Sequence, residues 1–276
     1  MEGFFIMLSF PNAKINLGLQ ITEKLPNGYH AITSCFYPIP VNDALEFVES
    51  KKTTFGSSGI PIPGDAQQNL VLKAYQLLKK DFQLPPIDIH LLKQIPIGAG
   101  LGGGSADGAF MLTALNEYFQ LYLDDSFLVT YAEQLGSDCP FFIANTPSMA
   151  TGTGTDLQPI ALDLSGYWMI LINPGIHIST KEAYAGVVPK TPTLNLETLV
   201  CSKDLDAWKE QLTNDFEESI LKVAPEIEEI KTRLYQAGAG YASMTGSGSS
   251  VFGIFQGKPQ QLDEQLSKYW HRVFPL

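Results

Sequence analysis

The stretch that decides the fold is Pro96–Ser105, which reads P-I-G-A-G-L-G-G-G-S. It follows a predicted strand, Ile87–Lys93, in which apolar and polar residues alternate. It precedes a predicted helix that opens at Ser105 and whose apolar side chains are spaced to share one face. Glycines let a backbone come close to an anion, and N–H groups at a helix N-terminus carry partial positive charge. We therefore predict a phosphate-binding loop. A hinge is the alternative, but a hinge does not need so many glycines directly before a helix.

The spacing of the glycines tests which kind of phosphate loop this is. Gly98–Gly103 formally matches G-x-G-x-x-G, but a dinucleotide site also expects an acidic residue about 20 positions on, at the end of a second strand. Asp124 has that distance, yet its surroundings, Y-L-D-D-S, form a predicted link between helices. The Walker pattern fails because no lysine lies beside Ser105. The loop is of neither type. Because the dinucleotide pattern is incomplete, we do not expect a dehydrogenase that binds a nicotinamide dinucleotide.

Length and composition narrow the class of protein. At about 150 residues per domain, 276 residues predict one large domain or two medium ones. The 29 acidic and 18 basic residues give a net charge of −11, which repels nucleic-acid phosphates at long range. The apolar share of 45% is normal for a globular protein and excludes disorder on a large scale. We expect a globular protein that does not bind nucleic acid.

Cysteine and histidine usage indicates the compartment and argues against a metal site. Cys35, Cys139 and Cys201 are odd in number and widely separated, which is typical of a reducing cytoplasm and not of a disulfide framework or a zinc site. The four histidines are scattered, so a transition-metal site built by the protein is not expected. The apolar runs fall short of the roughly 20 residues that span a bilayer, and Met1–Leu8 lacks a basic start and a cleavage signal. We expect a cytoplasmic protein without a membrane partner.

The rest of the pattern predicts mixed secondary structure. Lys14–Ile21 alternates strictly and predicts a half-buried strand with Lys14 and Asn16 on its polar face. Lys51–Asp65 is rich in glycine, proline and serine and predicts a loop. The other predicted strands are His30–Pro38, Ala44–Val48, Gln158–Leu162, Tyr167–Asn173 and the two arms of Ala242–Phe255. The other predicted helices are Asn69–Lys80, Asp125–Leu135, a short one from Ser179, Leu205–Leu212, Asp215–Gln236 interrupted at Pro225, and Pro259–Tyr269.

The order of these elements predicts the class and the domain boundary. Strands and helices occur in both halves without regular alternation, which is typical of an α+β protein. Asn145–Thr155 is polar and small, so we place the boundary there and expect an N-terminal domain over residues 1–152 and a C-terminal domain over 153–276.

Five ordered motifs resemble the GHMP kinases, the family named for galactose, homoserine, mevalonate and phosphomevalonate kinases. The glycine loop resembles their P-x-G-x-G-L-G-S-S-A signature. The other motifs are P-N-A-K-I-N-L-G-L at 11–19 with P-N-G-Y-H at 26–30, Q-N-L-V at 68–71, L-G-S-D-C-P-F-F at 135–142 and M-T-G-S-G-S-S-V-F at 244–252. The form of the loop with three consecutive glycines before the serine resembles that of a narrower branch of the family. That branch acts on a cytidyl diphosphate substrate in the non-mevalonate isoprenoid pathway. The resemblance spans the whole chain and is therefore far more specific than the loop alone.

This resemblance implies a fold and a nucleotide site. The fold would be the two-domain α+β GHMP kinase fold, with the active site in the cleft between an ATP-binding, catalytic N-terminal domain and a C-terminal domain that completes the substrate site. ATP and Mg²⁺ are implied, with no protein ligand of the metal identified. The residues implied for ATP binding are Pro96, Ile97, Gly98, Ala99, Gly100, Leu101, Gly102, Gly103, Gly104, Ser105 and Ala106 of the loop, together with Asn69 and Lys93.

The resemblance further implies that Lys14 and Asp138 form the catalytic pair. Asp138 lies in a short polar break before the apolar run Cys139–Ile143, where a partly sheltered carboxylate could accept the acceptor hydroxyl's proton, a role worth roughly 10²–10⁴-fold in rate. Without the resemblance, Asp138 would be read as a turn or cap at a helix end. A lysine near that carboxylate would keep it ionised and favour alkoxide charge on the acceptor. The alternative for Lys14 is an ordinary solvent-facing strand lysine.

The acceptor site is implied by residues in both halves of the chain. Tyr29 and His30 follow a tight turn, and a tyrosine ring on which a base stacks is worth about 1–3 kcal/mol in single-strand binders. The resemblance implies that this pair forms the cytosine site, which Tyr184 completes, and that Asn16 is a polar contact to the acceptor. Without the resemblance, Tyr29 would be a packing residue at a strand edge.

Some residues keep two interpretations. Asn69 predicts a helix N-cap as readily as an adenine contact. Lys93 either reaches the nucleotide or flanks the strand, and Ser105 is placed to donate to phosphate or to contact Mg²⁺. Thr245–Ser250 is a second loop of small residues, and its glycines indicate close approach to a ligand or to the first loop; a plain β-turn is the alternative.

The implied function is ATP-dependent phosphorylation of a small cytidyl diphosphate substrate by a monomer or weak homodimer. A rival is another small-molecule GHMP kinase, against which P-N-G-Y-H argues. A second rival, from another class, is a catalytically silent nucleotide-binding or regulatory protein on the same fold. The presence of both Lys14 and Asp138 argues against it.

Overall fold

The fold is that of a computed structural model, which describes residues 5–192, 194–260, 262 and 264–276. In chain order the strands are β1 (Met7–Ser9), β2 (Asn12–Lys24), β3 (His30–Asn42), β4 (Ala44–Glu49), β5 (Thr54–Gly59), β6 (Ile87–Lys93), β7 (Ser148–Thr151), β8 (Asp156–Pro159), β9 (Trp168–Asn173), β10 (Tyr241–Met244), β11 (Val251–Phe255) and β12 (Trp270–Pro275). The helices are α1 (Leu70–Asp81), α2 (Gly103–Tyr118), α3 (Asp125–Leu135), α4 (Phe141–Ala144), α5 (Thr180–Ala185), α6 (Leu196–Cys201), α7 (Leu205–Gln211), α8 (Glu217–Val223), α9 (Glu226–Gln236) and α10 (Glu264–Ser267), with a short 3-10 helix at Ala66–Gln68.

The described part of the chain divides into two compact units, and each unit is built from segments that alternate with those of the other along the sequence. Of the described residues, unit 1 comprises 5–13, Val41–Ile97 and Gly102–Asn145. Unit 2 is formed from Lys14–Pro40, Gly98–Leu101 and Thr146–Leu276. The units interleave along the chain, whereas the predicted domains, 1–152 and 153–276, meet at a single boundary. That boundary stays a prediction.

Unit 1 contains a sheet with the strand order β1-β4-β6-β5. β4 pairs antiparallel with β1 and β6, and β5 pairs parallel with β6. Alternate residues of the two central strands are buried, among them Leu45, Phe47, Ile89 and Leu91. The strands predicted at Ala44–Val48 and Ile87–Lys93 are confirmed as β4 and β6.

Helices α1, α2 and α3 pack against one another in unit 1. The buried residues of α1 include Val71, Ala74, Tyr75 and Leu78, a spacing that places them on one helix face. The C-terminal end of α2 packs on β4, where the Tyr118 ring meets the Phe47 ring edge to face at 5.2 Å between centroids. The predictions of α1, α2 and α3 are confirmed.

The predicted loop Lys51–Asp65 is wrong in part, because Thr54–Gly59 forms strand β5. Its sequence, T-F-G-S-S-G, is rich in residues that are depleted in strands. The strand exists because its backbone pairs in parallel with β6, from Thr54 opposite Asp88 to Gly59 opposite Lys93. Tertiary pairing has overridden local propensity here.

Unit 2 contains a sheet with the order β2-β3-β7-β8, and β2 corrects a prediction. The strand was expected to be half-buried, yet both of its faces are covered, and Lys14 and Asn16 are only 4% and 2% exposed. Leu212 lies against Gly18 on the polar face, and the Asn16 N–H donates to the Thr245 hydroxyl at 3.0 Å. Residues distant in sequence cover the face that alternation assigned to solvent.

A second sheet of unit 2 has the order β10-β11-β9-β12, with antiparallel pairs throughout. Its buried strands β9 and β11 share a core with α9, which contributes Ile227, Ile230 and Leu234. α9 packs on β10 and β11. The predicted interruption at Pro225 is confirmed, because Pro225 is the N-cap of α9 and α8 ends at Val223.

The predicted last helix, Pro259–Tyr269, is wrong in extent. Gln261 and Asp263 lie outside the described residues, and the helical part that the structure describes is α10 alone. β12 follows it and was not predicted; it pairs with β9 from Trp270 opposite Asn173 to Pro275 opposite Trp168. Within the described residues, no helix is both long enough and apolar enough to cross a membrane.

Candidate active site

The glycine loop leads into a helix whose first turn has no capping side chain. α2 begins at Gly103, two residues before the predicted start at Ser105. Its N-cap is Gly102, in the left-handed region with φ 69°. Side chains that would satisfy the first N–H groups of a helix are absent at a glycine N-cap, so these donors suit an anionic ligand. A Cβ at Gly104 would meet nothing within 4 Å, so this turn is open at that position.

The first part of the loop, Gly98–Leu101, packs in unit 2 against the second loop, Thr245–Ser250. The Ser250 N–H donates to the Ala99 carbonyl at 3.2 Å, and the Thr245 hydroxyl donates to the Gly100 carbonyl at 3.2 Å. Gly100 has φ +77°, and a Cβ built on it would lie 2.0 Å from the Thr245 carbonyl oxygen. The second loop therefore supports the first through backbone approach, as predicted, and is not a plain β-turn.

Lys14 is buried in unit 2, which excludes the alternative of a solvent-facing lysine. Its Nζ donates to Asn16 Oδ1 at 2.7 Å and lies 4.4 Å from the centroid of the Phe36 ring. Its backbone N–H donates to the Leu101 carbonyl at 3.0 Å, so the strand is tied directly to the glycine loop. Asn16 is held in turn by the Thr245 hydroxyl. The structure thus brings Lys14, Asn16 and part of the loop together.

Asp138 lies in unit 1, in the turn between α3 and α4, and is partly exposed. It is not the cap of α3, because that helix ends on Gly136. The next residue, Cys139, is buried and shares a hydrogen bond with the Ser105 side chain; burial raises the pKa of its thiol to about 12. Since Ser105 is in the first turn of α2, the segment that carries Asp138 is attached to the start of that helix.

His30 and Tyr184 meet in unit 2. Their rings stack with centroids 4.8 Å apart and an angle of 14° between planes. Tyr184 also meets Phe216 edge to face at 4.8 Å. Tyr29 lies at the turn between β2 and β3 with 67% of its surface exposed, so the alternative of a packed strand-edge residue is wrong. The residues predicted for a cytosine site from the two halves of the sequence thus include a pair in direct contact.

Asn69 is the N-cap of α1. Its Oδ1 accepts the Val71 N–H at 2.9 Å, which satisfies a donor that the first turn of the helix leaves open. The cap that the sequence predicted is confirmed. A contact with adenine stays a prediction.

Lys93 has its ammonium group buried between two carboxylates of unit 1. Its Nζ contacts Asp43 Oδ2 and lies 2.8 Å from Asp107 Oδ2. Burial and, to a smaller degree, the neighbouring Asp43 charge raise the pKa of Asp107 to about 7, against an opposing effect of Lys93. Sequence reasoning missed both acids: Asp43 lies between two strands in V-N-D-A, and Asp107 lies within a helix, so neither carried a local signal.

The side chains that could bind a metal ion are those of histidine, cysteine, aspartate and glutamate. Within the described part of the chain, no group of three or more histidine, cysteine, aspartate or glutamate side chains could hold an ion. Mg²⁺ in nucleotide sites is held by phosphate oxygens with one or two carboxylates. A metal that binds together with the nucleotide does not need a cluster of three such side chains.

Two models of known protein families match this chain, one in its N-terminal part and one in its C-terminal part. The family model for the GHMP kinases N terminal domain matches residues 69–146, which contain α1, the glycine loop and Asp138. The family model for the GHMP kinases C terminal domain matches residues 196–274, which contain the second loop.

Relatives and a solved structure extend the similarity over almost the whole chain. The chain is 51% identical to the 4-diphosphocytidyl-2-C-methyl-D-erythritol kinase of Parabacteroides distasonis, over 94% of this chain and 95% of the relative. It is 50% identical to the enzyme of the same name from Cytophaga hutchinsonii, over 98% of this chain and 100% of the relative. A crystal structure of 4-(cytidine 5'-diphospho)-2C-methyl-D-erythritol kinase superposes with a TM-score of 0.82 at 29% identity, covering 98% of this chain and 100% of that one.

We predict that Gly100→Ala and Gly104→Ala have opposite effects on stability. The first adds a Cβ against the Thr245 carbonyl at positive φ and should lower the free energy of unfolding by about 2–4 kcal/mol. The second adds a methyl group in open space on a helix and should raise it by about 0.5–1 kcal/mol. Urea denaturation of both variants measures the difference. Equal stability of the two would contradict the close approach of the loops.

We predict that Asp107→Asn flattens the dependence of stability on pH. The folded pKa of Asp107, about 7, is above its unfolded value of 3.8, so the folded state holds the proton more tightly. The free energy of unfolding should therefore fall as pH rises between these two values and then level off. Asparagine does not titrate, so the variant should lose this part of the slope. Chemical denaturation across the range measures it, and an identical slope in both proteins would refute the shift.

Proposed function

This chain belongs to the GHMP kinases, and we propose that within them it is a 4-diphosphocytidyl-2-C-methyl-D-erythritol kinase, which transfers phosphate from ATP to the 2-hydroxyl of that substrate. The observation that carries the proposal is the identity of about half of all residues with enzymes of this name over nearly the full length of both chains. The solved enzyme of this kind supports it with a TM-score of 0.82. The reaction belongs to the non-mevalonate route to isoprenoid precursors.

The nucleotide site that we propose is the glycine loop, Pro96–Ala106. Support comes from the uncapped start of α2, whose N–H groups suit an anionic ligand. Asn69, at the head of α1, is the proposed contact to adenine. Mg²⁺ bound with ATP would supply charge neutralisation at the β- and γ-phosphates.

Asp138 is the proposed general base. In this mechanism its carboxylate takes the proton of the acceptor hydroxyl while the oxygen forms a bond to the γ-phosphorus and the bond to ADP breaks. Lys14 is the proposed cation that offsets charge on the acceptor oxygen. Its burial and its hydrogen bond to Asn16 support that role, because a fixed ammonium group needs no reorganisation during the reaction.

The proposed cytosine site consists of Tyr29, His30 and Tyr184. The stacked rings of His30 and Tyr184 and the exposed ring of Tyr29 support it, because aromatic faces bind a base by stacking. Asn16 is the proposed polar contact to the acceptor. The net charge of −11 supports the absence of a nucleic-acid partner. A cytoplasmic location and a monomer or weak homodimer, without a membrane partner, complete the proposal.

We predict that Asp138→Asn removes most turnover while ATP affinity stays nearly intact. Loss of a general base costs roughly 10²–10⁴-fold in rate, and asparagine has almost the same size as aspartate. ADP release with the cytidyl substrate measures kcat, and calorimetry with a nonhydrolysable ATP analogue measures affinity. Asp163→Asn, at an exposed turn, is the control and should keep full turnover. A near-normal kcat for Asp138→Asn would contradict the assignment, and no turnover by the wild type would favour a silent nucleotide-binding protein.

Tyr29→Ala should raise the KM for the cytidyl substrate much more than the KM for ATP. Loss of a stacking ring costs about 1–3 kcal/mol, which corresponds to roughly 5- to 150-fold in KM. Tyr122→Ala, which removes a ring that is 86% exposed in unit 1, is the matched control and should leave both KM values unchanged. Equal changes of the two KM values in Tyr29→Ala would argue for general destabilisation.

A further inference from the structure

Asp43, Lys93 and Asp107 form a buried cluster of polar side chains in unit 1. The three residues are 0%, 2% and 3% exposed. Removing charges from water costs several kcal/mol per ion even in real proteins, and replacement of buried ion pairs by apolar residues is often neutral or stabilising. Stability alone is therefore a weak reason for this cluster, and its position in the chain suggests another.

Asp43 holds the segment that enters the glycine loop. Its Oδ1 accepts the N–H groups of Gln94 and Ile95, the latter at 2.9 Å, directly after β6 ends at Lys93. Its Oδ2 accepts from the Lys93 ammonium group. The Asp43 N–H in turn donates to the Pro11 carbonyl at 2.9 Å. One carboxylate thus fixes the backbone just before Pro96.

Asp107 holds the segment that leaves the loop. It lies in the second turn of α2, and its Oδ2 accepts from Lys93 Nζ at 2.8 Å. In the first turn, a Cβ at Gly103 would lie 2.8 Å from Ile95 Cγ2 and 3.0 Å from Lys93 Nζ. The start of α2 therefore sits directly on the end of β6, and Lys93 connects the two.

The polar contacts of the cluster favour one position of α2 relative to β6. Two carboxylates share one ammonium group, and among the described residues the second oxygen of Asp107, Oδ1, has no hydrogen-bond partner. A shift of α2 away from β6 would take the Asp107 acceptor oxygen away from the buried Lys93 ammonium group. A buried donor that loses its acceptor is costly, and more so when the donor is charged. The cluster thus favours one spacing between the two flanks of the loop.

We propose that Asp43, Lys93 and Asp107 are positioning residues for ATP, which clamp the two flanks of the glycine loop so that the N–H groups of the first turn of α2 face the phosphates. Lys93 acts through the loop and not by contact of its ammonium group with the nucleotide. The inference rests on the proposed function only in taking ATP as the ligand of the loop.

Asp107→Leu and Asp107→Asn test the clamp. Leucine has a similar size but cannot accept from Lys93, so the affinity for a nonhydrolysable ATP analogue should fall at least about tenfold, with an equal rise in the KM for ATP. The KM for the cytidyl substrate should change by less than about twofold in the same variant, because the clamp acts on the ATP loop. Asparagine keeps an acceptor oxygen, so Asp107→Asn should bind the analogue within about threefold of the wild type.

Leu78→Ala is the stability control, because Leu78 is buried in α1 and its truncation costs about 2–5 kcal/mol. It should lower stability without changing ATP affinity per folded molecule. The clamp is refuted if Asp107→Leu behaves as Leu78→Ala does, or if Asp107→Asn loses as much affinity as Asp107→Leu. If Asp107→Leu does not fold, Lys93→Gln decides: a rise of threefold or more in the dissociation constant supports the clamp, and a smaller rise refutes it. Failure of the proposed function is distinguishable, because it appears as a wild type that binds the analogue but does not turn over the cytidyl substrate.

Discussion

The close approach of two backbones at Gly100 is the constraint on which the rest of the candidate site depends. A side chain at Gly100 would collide with the Thr245 carbonyl oxygen, so the first loop can rest on the second only through glycine. The Thr245 hydroxyl then serves both neighbours: it donates to the Gly100 carbonyl and accepts the Asn16 N–H. Asn16 in turn accepts from Lys14 Nζ. One contact between loops therefore also fixes the cation that we propose for the chemistry.

Local sequence predicted the features that depend on local physics. The glycine density of Pro96–Ser105 predicted a loop before a helix, and α2 begins there because Gly102 can adopt positive φ. Asn69 predicted a helix N-cap, and its side chain accepts the Val71 N–H as caps do. Tyr184 was placed with His30 by resemblance to a family, and the two rings are stacked.

Features that depend on contacts distant in sequence could not be predicted. Alternation predicted β2 but assigned Lys14 to solvent, because nothing near it announces the loop at Thr245 that covers its face. β5 has a sequence that disfavours strands and is formed by pairing with β6. Asp43 and Asp107 carried no motif, and the role that we propose for them rests on their contacts with Lys93, which is 50 residues from one and 14 from the other.

The charge distribution agrees with a site for phosphates in an acidic protein. The chain has a net charge of −11, so attraction for ATP and a diphosphate must come from local groups. The groups that we propose for it are the first N–H groups of α2 and the ammonium group of Lys14. The most direct test is ³¹P NMR of ATP with the cytidyl substrate, mevalonate and homoserine offered separately. The account predicts ADP and a new phosphomonoester signal with the cytidyl substrate alone. An equal signal with mevalonate or homoserine, or no signal with any acceptor, would contradict it.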